Sequence, residues 1–325
     1  MLSKSDFVEK KIIVVHLKGG EKISFKNDNL VVKDKEGKIK FQLTCYRLFA
    51  LFIVGHFTLT SGIIERSKRF GFSIVLFSTH FKVYTCINYA MEGNTLLRKK
   101  QYTTDKGNEI AKQIIINKIE NQRRILANLR YNAVRDGIEI LDEQIIKLKN
   151  NEYNDNGIMG MEGMAAKVYF KRLYMNYNWK GRQARVKRDE INLLMDIGYT
   201  VLFNYIEAIL NIYGFDIYKG NLHKEFYKRK SLVCDMIEPF RPIVDYKIRK
   251  MINLNQISNY DFRVNNRQYQ IDWRDSLNFV SEVLEEIALY KGRIFRYIQS
   301  YYRWFMKGKD VESFPRVELV KDGNS

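Results

Sequence analysis

Four side chains in the second half of the chain have the types and spacing to hold a divalent cation: Glu162, His223, Asp235 and Glu238. If MGMEGMAAKVYFKRLY is helical, Glu162, Ala165, Ala166, Tyr169, Phe170 and Leu173 share one face, so the carboxylate stands on the apolar stripe. A charge there needs a partner. An arginine, or a place at the helix start where negative charge is favoured, would also satisfy it. Asp235 and Glu238, three apart in SLVCDMIEPFRP, share a helix face if that stretch is regular. Two like charges so placed repel, and either a divalent cation or salt bridges to Arg229 and Arg241 would relieve them. His223, in YKGNLHKEF, is weak evidence alone, because a lone histidine is usually structural. The other histidines, His16, His56 and His80, fall in strand-like segments and are expected to fill strand faces. Carboxylate oxygens with one imidazole suit Mg²⁺ or Mn²⁺, the nitrogen favouring Mn²⁺. Such an ion stabilises the oxygens of an in-line phosphoryl displacement.

Charge points to the same class of partner. Lys and Arg total 55 against 37 Asp and Glu, a formal net charge of +18, which fits a polyanion. A genome that spends Lys codons freely would produce the same excess. Basic clusters flank the candidate ligands: Arg182, Arg185, Lys187 and Arg188 after the Glu162 segment, and Lys224, Lys228, Arg229 and Lys230 after His223. These could neutralise phosphates without reading bases, or could form an ordinary solvated face. Tyr290 to Lys307 interleaves aromatic rings with Arg, a mixture able to stack bases. Its helical spacing of Ile294, Tyr297, Ile298, Tyr301 and Phe305 favours a core helix with an arginine edge.

The elements that must position these residues fall into two textures. Residues up to about 95 contain short β-type segments: Lys11 to Leu17, Glu21 to Lys26, Asn29 to Lys33, Lys38 to Leu43, Phe52 to Leu59 and Phe72 to Phe77. Gly19-Gly20, Asn27-Asp28 and Glu36-Gly37 divide the first four, as hairpins in a sheet or sandwich would require. Thr60 to Phe70 has helical spacing with Gly71 as a stop. Past Thr103 the texture changes and everything downstream reads helical, including Asn108 to Leu129 and the Ile138, Leu141, Ile145, Leu148 series. NNEYNDNG (150–157) is a polar turn between helices. Pro239 and Pro242, two of only three prolines, predict a kinked helix next to Glu238.

Cys45, Cys86 and Cys234 are an odd, scattered set without CxxC spacing. That argues for a reducing compartment and against a disulfide framework, zinc ribbon or four-cysteine cluster. No amino-terminal signal pattern is present, and the longest apolar run, Leu48 to Gly55, is far short of the roughly 20 residues a membrane helix needs. A cytoplasmic protein without a membrane partner is the expectation.

Three ordered motifs, GMEGMAAKVYF, GFDIYKGNLH and SLVCDMIEPFRP, together with DEINLLMDIGYTVL and its Asn192, Gly198 and Tyr199, resemble the CRISPR-associated adaptation integrase family (Cas-one). The resemblance implies an α+β fold: a small amino-terminal β-sandwich used in dimerisation (1–95), followed by a larger all-α catalytic domain (96–325). It implies metal ligation by Glu162, His223 and Glu238, with Asp235 in support. It also implies a reaction in which the 3′-hydroxyl of a captured DNA fragment attacks a phosphodiester at the leader–repeat boundary of a CRISPR array. Double-stranded DNA, a homodimer, and a dimer of the small companion Cas-two bridging two integrase dimers are the implied partners. The chain departs from the common pattern at Ile217, where many relatives carry proline, and in NNEYNDNG. A stand-alone nuclease for branched or damaged DNA, or a non-enzymatic basic scaffold, remain the alternatives.

Overall fold

The computed structural model describes residues 10–17, 19–78, 83–87, 94–129, 132–184 and 186–319. They fall into two compact units, Met1–Arg98 with Glu207–Asp216, and Lys99–Ile206 with Ile217–Ser325.

The first unit holds two sheets. In one, β1 (Lys11–Leu17), β5 (Leu48–Gly55) and β6 (Ser73–Phe77) run parallel, and β7 (Val83–Ile87) pairs antiparallel with β6. In the other, β2 (Lys22–Lys26), β3 (Asn29–Lys33) and β4 (Ile39–Thr44) form an antiparallel meander. Asn27 and Asp28 both take positive φ (48° and 56°) at the β2–β3 turn, the twist a two-residue hairpin needs. Every residue of β5 is buried, as expected of a central strand in a parallel sheet. Leu30 and Val32 of the meander, Leu51 and Ile53 of β5, Ile74 of β6 and Ile63 of helix α1 (Ser61–Phe70) share one apolar cluster. That is a small sandwich with a helix attached.

Three expectations need correction here. The chain does not turn back at Gly19-Gly20: β1 pairs in parallel with β5, and β2 belongs to the other sheet. The fifth strand begins at Leu48 and ends at Gly55 rather than spanning Phe52 to Leu59, because the buried run LFALFIV starts earlier and the following residues lead into α1. His56 consequently lies beyond the strand and is exposed; His80 lies outside the described residues.

The second unit contains α2 (Thr95–Thr103) from Lys99 onward, α3 (Gly107–Ala127), α4 (Arg135–Asn150), α5 (Asp155–Leu173), and α6 (Glu190–Tyr213) up to Ile206. It continues with α7 (Ser231–Ile237), α8 (Arg241–Asn253), α9 (Trp273–Ala288) and α10 (Lys291–Lys307). Helix α3 packs against α4, α5 and α8. NNEYNDNG closes α4 and opens α5, with the Asn154 side chain accepting from Gly157 N. Helix α6 is long and apolar enough to cross a membrane by length and composition, yet 78% of its apolar window is buried within the protein. It is a core helix. In α10, Ile294, Tyr297, Ile298, Tyr301 and Phe305 are all buried, so the core-helix reading of that segment holds.

The proline pair bends the chain in the expected place. Helix α7 passes into a 3₁₀ turn, Glu238–Phe240, with Pro239 near its start, and then into α8 with Pro242 in its first turn. The missing proline N–H groups fall where helix starts leave donors unpaired anyway. One element breaks the all-helical expectation: β8 (Phe262–Asn265) and β9 (Gln268–Ile271) form a hairpin. Its turn residues, Asn266 and Arg267, take φ of 50° and 61°, so a hairpin turn forms without the glycine that would have signalled it.

Candidate active site

The site begins with a lysine. In α3, the sequence Ile114-Ile115-Ile116-Asn117-Lys118-Ile119 is buried throughout. A buried ammonium ordinarily sheds its proton. Lys118 does not: although burial lowers its pKa, Glu238 and then Glu162 outweigh that and hold it above the usual lysine range. Its Nζ lies 2.7 Å from Glu238 Oε2 and also pairs with Glu162 Oε1.

The two glutamates arrive from separate elements. Glu162 lies on α5 beside the buried stripe of Ile158, Met161, Ala165, Tyr169 and Leu173, with its side chain 31% exposed. Its partner is a lysine, neither the arginine nor the helix start that the sequence also allowed. Glu238 opens the 3₁₀ turn, where the change of helical pitch turns it toward α3. Burial would raise its pKa, but Arg241, then Lys118 and His223, hold it down at about 2. Arg241 Nε donates to Glu238 Oε1 at 2.9 Å. Glu238 Oε2 is buried and paired by charge with Lys118, yet takes no well-aligned hydrogen bond, so it retains ligating capacity.

Asp235 and Glu238, three residues apart, serve different partners rather than one cation. Asp235 is fully buried; its Oδ2 accepts from Asn221 N (2.5 Å) and Leu222 N (3.0 Å), and its Oδ1 from His223 N (2.9 Å). The same Oδ1 lies 2.8 Å from His223 Nδ1. Asp235 is therefore the organiser of the loop that presents His223, and it does not line the cleft. A Cβ at Gly220 would come within 2.8 Å of the His223 carbonyl and of Ser231, so only glycine allows so tight a loop. With Nδ1 engaged, the imidazole has Nε2 left for the cleft.

Glu162, His223, Glu238, Lys118 and Arg241 line one open cleft of about 770 Å³. Lys167, Lys171, Lys180 and Arg182 stand around it, with Tyr174, Tyr177 and Trp179. Beneath, the Tyr199 hydroxyl donates to Asp245 Oδ1 and the Tyr174 hydroxyl to the Asp245 carbonyl at 2.8 Å. Burial pushes Asp245 up to about 7 against the opposing pull of Tyr199 and Arg241. Two guanidinium groups lie over the Tyr199 ring, Arg241 at 4.5 Å and Arg182 at 5.5 Å from its centroid.

The basic residues anticipated for phosphate contact divide. Arg182 reaches the cleft but is held by Asp196 (2.6 Å) and Asn192 (3.0 Å). Lys187, at φ 48°, gives its carbonyl to Tyr269 N at 2.8 Å, and Arg188 is exposed. Lys224 pairs with Asp155 at 2.8 Å, Lys228 lies over the Tyr227 ring, and Arg229 bonds the Cys234 thiol. Arg185 lies outside the described residues. Lys118, Tyr199 and Asp245 were not expected from sequence as parts of one centre. A lysine inside an isoleucine run was the available signal for the first.

Among the described residues no three His, Cys, Asp or Glu side chains stand as a ready-made metal cluster. The donor set nevertheless suits a hard cation: two carboxylates from different elements already converge on one positive charge, the Lys118 ammonium. An oriented imidazole stands beside them.

Residues 14–284 match the family described as CRISPR associated protein Cas1. A CRISPR-associated endonuclease Cas1 from Archaeoglobus fulgidus is 25% identical, over 94% of this chain and 96% of that one. Among solved structures, a casposase bound to its integration product superposes with a TM-score of 0.74 at 19% identity, over 96% of both chains. A chain of a partial Cas6-RT-Cas1–Cas2 complex does so with a TM-score of 0.70 at 19% identity, over 96% of this chain and all of that one.

Proposed function

Because this chain belongs to the CRISPR-associated Cas1 family, we propose that it is a DNA endonuclease and integrase of spacer acquisition, joining 3′-hydroxyl ends of captured DNA into a CRISPR array by transesterification. The observation that carries this reading is the convergence of Glu162 and Glu238, from α5 and the 3₁₀ turn, on the single ammonium of Lys118 in a cleft edged by cations. A relative over nearly the whole chain length is named an endonuclease, and a structural neighbour holds an integration product.

Glu162, His223 and Glu238 are the residues that would hold a divalent ion, Mg²⁺ or Mn²⁺. Such an ion supplies Lewis-acid stabilisation of the oxygens exchanged at phosphorus. The chain's own groups do the rest. Asp235 fixes the His223 ring through Nδ1 and ties down the loop before it. Arg241 keeps Glu238 ionised, and Lys167, Lys171 and Lys180 at the cleft neutralise flanking phosphates. A homodimer through the β-rich unit, and a Cas2 dimer bridging two such dimers, complete the proposed assembly; a neighbour taken from a Cas1–Cas2 complex supports the second. The reaction belongs in the cytoplasm, where the array lies.

The test is strand joining with the companion protein present. Glu162→Gln and His223→Ala are expected to abolish insertion of a 3′-hydroxyl fragment into a supercoiled array plasmid while leaving duplex affinity within a few-fold. Equal loss of binding would mean these residues are structural. A wild-type protein that cleaves but never joins would favour a stand-alone nuclease instead.

A further inference from the structure

The loop between His223 and α7 carries two aromatic rings that the proposed reaction leaves unused. Residues 224–230 read Lys-Glu-Phe-Tyr-Lys-Arg-Lys. Phe226 is 76% exposed and Tyr227 80%, the highest values for large hydrophobic side chains among the described residues. Exposure on that scale costs hydrophobic free energy, and single exposed rings are ordinary. Two adjacent ones on a built support are not.

The support is specific. Buried Ser231 donates from Oγ to the Lys224 carbonyl at 3.1 Å, closing the base of the loop. Arg229 N donates to the Phe226 carbonyl at 2.9 Å, closing its tip into a four-residue turn. Lys228 occupies the third position of that turn at φ 62°, a conformation that non-glycine residues rarely adopt. Its Nζ lies 5.1 Å from the Tyr227 ring centroid. The loop carries four cations, Lys224, Lys228, Arg229 and Lys230, against one acid, Glu225, which pairs with Lys219. It starts at the residue after His223.

We propose that Phe226 and Tyr227 form a stacking tip that packs against a nucleobase face of DNA held in the cleft, with the neighbouring lysines on the flanking phosphates. This rests on the DNA reading above. Rings interleaved with cations match a polyanion that also offers π-faces, whereas the positive excess gives no reason to prefer an apolar protein surface. In a continuous duplex the base faces are covered by their neighbours. The partner is therefore a base at a strand end, a nick or an opened step beside the bound phosphodiester.

The experiment uses the full chain and a nicked duplex in which 2-aminopurine is scanned through the positions around the nick. Affinity is measured by anisotropy over a salt series. Phe226→Ala/Tyr227→Ala is expected to weaken binding about tenfold or more, leave the salt slope unchanged, and abolish a 2-aminopurine signal that wild-type protein produces at one or two positions. Tyr227→Phe should keep that signal. Lys228→Ala should instead reduce the salt slope by about one. Melting temperatures check that the exposed substitutions leave the fold intact. Wild-type affinity and fluorescence in the double variant would overturn the proposal while leaving the joining reaction in place. So would normal DNA binding with lost assembly on the companion protein, which would make the tip a protein-docking element. A wild-type chain that binds no DNA would overturn both readings.

Discussion

The Nδ1 atom of His223 lies 2.8 Å from Oδ1 of Asp235, and the same carboxylate accepts three backbone N–H groups from residues 221–223. One buried side chain thus sets the position, the ring orientation and the tautomer of the one histidine that lines the cleft among the described residues. Replacing it with Asn keeps the volume but removes acceptor capacity and charge. Asp235→Asn is expected to lower strand joining about 10- to 100-fold, the usual cost of losing the group that orients a ligating histidine. It should also reduce the melting temperature, because amide donors around position 221 lose their acceptor. Single-turnover joining and a melting curve check both; unchanged joining would show that the His223 orientation does not limit the reaction.

Lys118 pairs with both Glu162 and Glu238, while Arg241 pairs with Glu238 alone among these two. Lys118→Met leaves the two carboxylates facing each other, and breaking a buried pair costs about 3 to 5 kcal/mol. Mn²⁺ should replace the missing charge. The expected outcome is a lowered melting temperature without metal and a larger Mn²⁺-dependent rise than in wild type. The same rise in both proteins would argue that no cation enters between these glutamates.

Asp245 gives a pH dependence of defined sign. Its folded-state pKa is raised by burial from 3.8 to about 7, so between those values the folded protein binds more protons than the unfolded chain. Stability therefore falls as pH rises from about 4 to about 7 and is flat beyond, as far as this group contributes. Asp245→Asn removes that slope and should be relatively more stable at pH 8 than at pH 5. Urea midpoints of both proteins at the two pH values measure it, and parallel pH profiles would refute it.

Gly198 of α6 meets Val244 of α8 so closely that a Cβ would lie 2.4 Å from Val244 Cγ1. Gly198→Ala is expected to cost about 1 to 3 kcal/mol by overpacking. Adding Val244→Ala should return part of that loss, a coupling that a double-mutant cycle resolves. Because Tyr199 follows Gly198 directly, a displaced α6 should also lower joining.

Much of the architecture follows from local chemistry. Asn27-Asp28 at the β2–β3 turn, the continuous apolar run of β5, Gly71 after α1, the Asn154 cap of α5 and the proline-marked bend at Glu238 each depend on residues a few positions apart. Residue type and spacing made Glu162, His223, Asp235 and Glu238 candidates, but left salt bridges and a structural histidine open, and it was the family resemblance of their ordered motifs that implied a shared ligand set. What needed tertiary structure was every relation set by distant packing. The parallel partnering of β1 with β5 depends on which strand face is buried, and the β8–β9 turn on a hairpin whose residues carry no glycine. The division of labour between Asp235 and Glu238 depends on which neighbour reaches each carboxylate first: backbone amides 12 to 14 residues earlier for one, a lysine from α3 for the other. Lys118 is the clearest case. In sequence it is one lysine among isoleucines, and only the desolvation of its surroundings, which makes an unpaired ammonium untenable, draws both glutamates to it and brings the centre together.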